Sequence, residues 1–205
     1  RQKDPYNPTS NPLLVVISGP SGVGKDVTLG RMKELGYPFH FVVTTTDRLP
    51  RPGEVDGADY LFVSSAEFER LIEQEELIEH ALVYGQHKGV SKTQVRQALE
   101  SGQDVVMRLD VQGAATIRQL VPDAVLIFLS TESEEALSAR LKARRTESED
   151  ALRTRLAFAR EEMGRLDEFD YLVINRTGRL DETVETIAAI IKAEQCRVRQ
   201  REINL

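Results

Sequence analysis

Apolar positions along the chain follow two rhythms. Short, nearly unbroken apolar runs occupy residues 13–17, 39–43, 104–110, 124–129 and 171–175. Runs of that length, rich in Val and Ile, predict strands buried on both faces of a parallel sheet. Between them the apolar positions spread to helical spacing. Val27, Leu29, Met32 and Leu35 predict a first helix, and further helices are expected over 94–100, 112–120, 133–145, 151–163 and 180–199. Residues 44–91 break this alternation. They hold short strand patterns at 59–63 and 79–84, a helix over 66–73 capped by Ser64 or Ser65, and Gly85 and Gly89 bracketing a hairpin-like turn. The pattern predicts an α/β fold, a parallel sheet flanked by helices, with a small sheet-rich insertion. No internal repeat or low-complexity segment interrupts it.

The first strand runs straight into Gly19-Pro20-Ser21-Gly22-Val23-Gly24-Lys25. Strand, glycine-rich turn and helix, with the spacing G-x-x-x-x-G-K, form the context of a phosphate-binding loop. Its backbone N–H groups and the following helix N-terminus attract phosphate oxygens, and Lys25 adds a flexible ammonium. The spacing is not that of a dinucleotide site. A glycine-rich turn without a ligand would not need the lysine. The motif usually continues with Ser or Thr as a Mg²⁺ ligand, whereas here Asp26 follows, with Thr28 two residues on. An Asp oxygen can serve a Mg²⁺ ion, directly or through water. Asp110 closes the apolar run at 104–110, a place from which an acid often approaches Mg²⁺ in such proteins.

The second polar stretch is Thr44-Thr45-Thr46-Asp47-Arg48-Leu49-Pro50-Arg51-Pro52-Gly53-Glu54. Arginines suit fork-like contact with a phosphate, although a solvated turn would read the same way. Composition narrows the classes. The 205 residues suffice for one sizeable domain, and the formal net charge of −6 argues against nonspecific nucleic-acid binding. An anionic substrate must therefore meet local clusters of Arg and Lys. The single cysteine, Cys196, allows no internal disulfide and fits a reducing compartment. No apolar run approaches the roughly 18 residues of a membrane span. Residues 1–12 are polar and proline-punctuated, are expected to form a loose arm, and do not resemble a signal peptide.

The loop at 19–25, residues 44–60 and residues 140–155 together resemble guanylate kinases, the nucleoside monophosphate kinases specific for GMP. Arg48-Leu49-Pro50-Arg51-Pro52-Gly53-Glu54-Val55-Asp56-Gly57-Ala58-Asp59-Tyr60 is the most specific part of the likeness. Gly24-Lys25-Asp26 and Met107-Arg108-Leu109-Asp110 look most like the plant organellar and cyanobacterial branch. The resemblance implies a P-loop nucleoside monophosphate kinase fold. It divides the chain into a core at 13–43, a GMP-binding domain at 44–91, core again at 92–139, a helical lid at 140–155 and a C-terminal core part at 156–205. It assigns ATP to Gly19, Pro20, Ser21, Gly22, Val23, Gly24, Lys25, Asp26, Val27, Arg140 and Asn175. It assigns GMP to Thr44, Arg48, Arg51, Tyr60, Glu79, Lys88 and Asp110. Lys25, Arg48, Arg144 and Arg155 are the expected catalytic residues, with Arg140 a third lid cation, and Mg²⁺ with ATP is expected near Asp26 and Asp110.

Glu79 has a chemical rationale, since one carboxylate can accept two guanine N–H bonds that adenine does not offer. Without the resemblance it would read as an ordinary acid at a strand start. His40, His80 and His87 are expected to be structural or exposed, because a phosphate acceptor with a second pKa of about 6 needs no general base. Departures from the family touch the acceptor side: Lys88 stands for a second Tyr, Val90 for a hydroxyl beside guanine, and Arg108 for an Asp. The added cations suggest guanosine tetraphosphate as a competitive inhibitor, unless Lys88 and Arg108 pair with local acids such as Asp26 or Glu79. A monomer in a plastid or mitochondrion is expected, with cytoplasm as the alternative. The rival reading is a catalytically inactive guanylate-kinase-like protein-binding module. Such modules typically lose the loop lysine and glycines retained here.

Overall fold

A computed structural model describes residues 10–83, 85–143 and 149–205, and among these residues the strands fall into two sheets. The larger sheet has the order β2 (His40–Phe41), β7 (Val105–Arg108), β1 (Leu14–Ser18), β8 (Val125–Ser130), β9 (Tyr171–Ile174). All its pairings are parallel. β1 sits in the middle, and every residue in it is buried. Its side chains alternate between two apolar layers, as the period of two requires. Val15 and Ile17 pack with Val184 and Ile187 of α7 (Leu180–Gln195), whereas Leu14 and Val16 pack with Ala114 and Ile117 of α4 (Val111–Leu120). The remaining helices that matter to the site are α1 (Lys25–Glu34), α5 (Glu134–Ala143) and α6 (Glu149–Met163).

The smaller sheet has the order β4 (Tyr60–Phe62), β3 (Thr44–Thr46), β6 (Gln86–Ser91), β5 (Leu77–Val83). β3 pairs parallel with β4 and antiparallel with β6. It explains why the polar Thr44, Thr45 and Thr46 are a buried strand rather than the start of a loop: ladder bonds on both sides satisfy their backbone. The hairpin closes where Val83 faces Gln86, so Gly89, expected to bracket a turn, lies inside β6 opposite His80. α2 (Ser65–Glu73) covers this sheet, with Ser64 as its cap, and α3 (Lys92–Glu100) leads back to the core.

Two ends differ from expectation. The last helix stops at Gln195, and the chain after it turns so that Arg201 reaches the buried Glu194 at 2.7 Å. The loose arm expected over 1–12 falls outside the described residues up to 9. Asn11 is tied down, its N–H donating to Gln200 and its amide to the Arg201 carbonyl. No helix among the described residues is long and apolar enough to cross a membrane.

Candidate active site

The two sheets and α6 enclose a cavity of about 760 Å³ at the C-terminal edge of β1 and β7. One wall is the phosphate loop. Pro20, Ser21, Gly22, Gly24, Lys25, Asp26 and Val27 line the cavity, while Gly19 and Val23 do not. Gly24 caps α1 at φ 100°, and a Cβ there would meet Asn175 Nδ2 at 2.5 Å, so this position requires glycine. Lys25 lies along the loop, its Nζ donating to the Gly19 and Pro20 carbonyls. Burial pulls its ammonium down to about 8, against the opposing pull of Glu162 and Asp26. Phosphates arriving at the loop would reverse that shift.

Arg140 and Asn175, expected among the ATP contacts, face the loop from outside the cavity. Arg140 donates to the Val23 carbonyl at 3.1 Å and the Asn175 carbonyl at 2.7 Å. The Asn175 amide donates to the same Val23 carbonyl at 2.8 Å, and its oxygen accepts from Thr183 at 3.2 Å. Neither side chain lines the cavity. α5 and β9 bring these two residues together, and here both brace the loop. Arg144 lies outside the described residues. Arg155 lines the cavity from α6.

The opposite wall comes from the smaller sheet. Thr44, Arg48, Arg51, Tyr60, Glu79 and Lys88 all line the cavity, with Asp110 between the walls. Arg48 is gripped by Glu54 through two bonds of 2.6 Å and lies 4.7 Å from the Tyr60 ring. The Arg48 fork holds the Glu54 carboxyl down at about 2. Glu79 contrasts with it: only 5 % exposed, its carboxylate has no hydrogen bond among the described residues. Burial, reinforced by the Asp110 charge, pushes it up to about 7. α4 passes so close that a Cβ on Gly113 would come within 2.8 Å of Glu79 Oε1. Burial likewise lowers the Lys88 ammonium, with Arg108 adding to the effect.

Some expectations on this wall change. Val90 is fully buried in the core and Ser91 caps α3, and neither lines the cavity. Arg108 is paired with Asp26, which balances its charge. None of the histidines lines the cavity; His87 bonds Asp47 at 2.7 Å and stacks on Phe68. Phe158, Glu161, Glu162 and Arg165 line the cavity without having been expected. Helical spacing from Arg155 puts 158 and 162 on one face, whereas Arg165 lies past the end of α6 at Met163.

Asp26 and Asp110 suit a metal ion that arrives with nucleotide phosphates. Asp110 accepts from the Gly113 N–H at 2.7 Å and Asp26 from Arg108, each through one oxygen, leaving the second oxygen of each unbonded among the described residues. A Mg²⁺ ion held mainly by phosphates and water asks for one or two such oxygens.

Residues 11–194 match the family model described as guanylate kinase. The chain is 50% identical over 203 residues to guanylate kinase 2, chloroplastic/mitochondrial, of Oryza sativa subsp. japonica, covering 98% of this chain and 71% of that one. It is 43% identical over 190 residues to a guanylate kinase of Gloeobacter violaceus, covering 92% of each. Among solved structures, a guanylate kinase from Anaplasma phagocytophilum superposes with a TM-score of 0.77 at 30% identity, covering 93% of this chain and 89% of that one.

Proposed function

The chain belongs to the guanylate kinase family, and on that premise we propose how its residues divide the ATP-dependent phosphorylation of GMP. The chain is an enzyme of that reaction, and nothing favours the inactive binding-module alternative: Gly22, Gly24 and Lys25 are all in place. One observation supports the division best. Lys25 stands on one wall of a single cavity, a buried carboxylate without a hydrogen-bond partner among the described residues on the other, and arginines line the space around them.

The acceptor is a phosphate, already largely ionised near neutral pH, since its second pKa is about 6. An oxygen of GMP forms a bond to the γ-phosphorus of ATP, the bond to the bridging oxygen breaks, and its electrons leave with ADP. No base is required; the protein aligns two anions and neutralises the transferred charge. Lys25 and the loop N–H groups hold the donor phosphates. Arg48, Arg51, Tyr60 and Lys88 hold the acceptor phosphate, and Glu79 reads guanine, with Thr44 at its carbonyl edge. Arg155, with Arg144, supplies charge from the lid at 140–155, while residues 44–91 act as the GMP-binding domain. Arg140 and Asn175 serve ATP through the loop they brace. Mg²⁺ bound with ATP supplies further charge neutralisation, near Asp26 and Asp110.

Deoxy-GMP is proposed as a second substrate. Guanosine tetraphosphate is proposed as a competitive inhibitor acting through Lys88, with less help from Arg108 than its charge alone suggests. A monomer is proposed, and the likeness to a chloroplastic/mitochondrial relative supports an organellar location. The test is ADP formation with GMP, dGMP, AMP, CMP and UMP in turn. The guanine nucleotides should be phosphorylated well above the others; equal turnover of AMP would sink the role given to Glu79.

A further inference from the structure

One guanidinium joins the two walls of the cavity. Arg108 ends β7 in register with Ile17 of β1, so it stands beside the phosphate loop at the C-terminal edge of the sheet. Its Nη1 donates to Asp26 in the first turn of α1. Its Nη2 donates to the Tyr60 hydroxyl on β4 at 2.8 Å. The same guanidinium lies 5.1 Å from the centre of the Tyr60 ring, with Arg48 at 4.7 Å from that ring. One arm therefore rests on the donor wall and the other on the acceptor wall.

The pair with Asp26 is a weak candidate for holding the fold together. The Asp26 side chain is 65 % exposed, and an ion pair with so wet a partner contributes little to stability. The geometry suits something else. A planar fork of N–H donors fits two anions lying side by side. A phosphoryl group passing between two phosphates presents such a pair, with charge spread over the oxygens in transit.

We propose that Arg108 is a further catalytic residue, whose guanidinium spans the acceptor phosphate and the transferred phosphoryl group, and that Asp26 and the Tyr60 hydroxyl hold its two arms in the free enzyme. The proposal rests on the GMP kinase reading. The Asp26 carboxylate is a stand-in anion. When ATP phosphates settle on the loop, the Nη1 arm exchanges Asp26 for a phosphoryl oxygen, and no proton moves. The Nη2 arm stays with Tyr60 and the acceptor phosphate, which ties the fork to its second anion. Asp26 is then left on the donor wall, beside Lys25.

The test combines calorimetry of GMP, without ATP or Mg²⁺, with steady-state kinetics and melting temperatures. The chains compared are wild type, Arg108→Ala, Arg108→Lys, Asp26→Asn and the double variant Asp26→Asn with Arg108→Ala. Arg108→Ala should lower kcat on the order of 100-fold, the effect of losing one aimed donor to developing charge. Arg108→Lys should recover less than about a tenth of that loss, because a point charge cannot span two anions. Asp26→Asn should tighten GMP by about threefold, because the fork no longer shares its charge with a carboxylate. In the Arg108→Ala background that tightening should vanish, a coupling that a merely structural pair would not produce. A kcat for Arg108→Ala within about threefold of wild type overturns the proposal, as does tightening that persists without Arg108, or variants that lose only melting temperature. A wild type inert toward GMP overturns the kinase reading together with this one. A wild type active on GMP with an indifferent Arg108→Ala overturns this one alone.

Discussion

The donor and acceptor walls of the cavity are built in opposite ways. The donor wall is made of backbone. Its loop follows a wholly buried strand, and Arg140 and Asn175 fasten the Val23 carbonyl from behind. The acceptor wall is made of side chains from separate strands and loops, and two of its arginines are already occupied. Arg48 holds Glu54, and Arg108 holds Asp26 and the Tyr60 hydroxyl. A phosphate binding the donor wall meets backbone donors already aimed, whereas GMP must draw Arg48 and Arg108 away from internal partners. Glu79 differs: it is backed by α4, and its carboxyl has no hydrogen-bond partner to leave among the described residues. Base recognition is thus preorganised while phosphate recognition is exchanged, a division that keeps a cationic wall stable without substrate.

The contrast breaks most violently at Lys25. Lys25→Met removes the ammonium that lies along the phosphate loop. The kcat should fall on the order of 1000-fold, at the upper end for losing one aimed charge, with GMP affinity by calorimetry changed little. A fall in GMP affinity of similar size would mean that the two walls are not separate.

The acceptor wall is sharpened by Gly113→Ala. Gly113 is buried in the first turn of α4, so crowding offsets the helix gain of up to about 1 kcal/mol, and the melting temperature should change little. The new methyl would press on Glu79, and GMP affinity should fall about tenfold, the cost of spoiling roughly one charged hydrogen bond. Stability and affinity moving the same way would refute the idea that α4 aims the carboxylate.

The donor wall can be loosened from outside the cavity. Asn175→Ala removes a buried bond to the Val23 carbonyl and opens space against Gly24. ATP affinity should fall about fivefold, near the 1 kcal/mol of an ordinary buried hydrogen bond, while GMP affinity stays put. Equal ATP binding in both chains would leave Arg140 as the sole brace.

The same contrast explains what could be read from the chain. The phosphate loop was legible because its signature is contiguous: strand, glycines and lysine within a dozen residues. The core strands were legible because burial on both faces leaves unbroken apolar runs. The brace at Val23 was not, since Arg140 and Asn175 lie far away in sequence and only β9 and α5 bring them to the loop. β3 was read as loop because three threonines carry no apolar pattern; their burial comes from partners on both sides. The Arg48 to Tyr60 stretch was legible through family likeness alone, and nothing in it disclosed that Glu54 already grips Arg48. The pair of Asp26 with Arg108 was open as an alternative, and only geometry shows that Arg108 takes it.

The smallest effect concerns the proton on Glu79. Its carboxyl is pushed up to about 7 by burial and the Asp110 charge, so near neutral pH the free enzyme holds a mixture of protonated and ionised forms. The sign for folding follows. The native chain keeps this proton well above the ordinary carboxylate range, so this group's contribution to stability falls as pH rises from about 4.5 to 7. Binding runs the other way. Guanine offers two N–H donors, which only the carboxylate accepts, and their bonds pull the pKa back down. GMP should therefore bind about twofold more weakly at pH 7 than well above it, with the loss growing toward tenfold per unit at lower pH. Binding at pH 7 should release about half a proton, seen as a dependence of the calorimetric enthalpy on the ionisation heat of the buffer. The GMP phosphate also titrates, near pH 6, so the comparison must include Glu79→Gln, which keeps the phosphate contribution and lacks the carboxyl one. The difference between the two chains isolates Glu79. An identical buffer dependence in both would mean that the carboxyl is already ionised before GMP arrives, and that base recognition, like phosphate recognition, begins from a compensated charge.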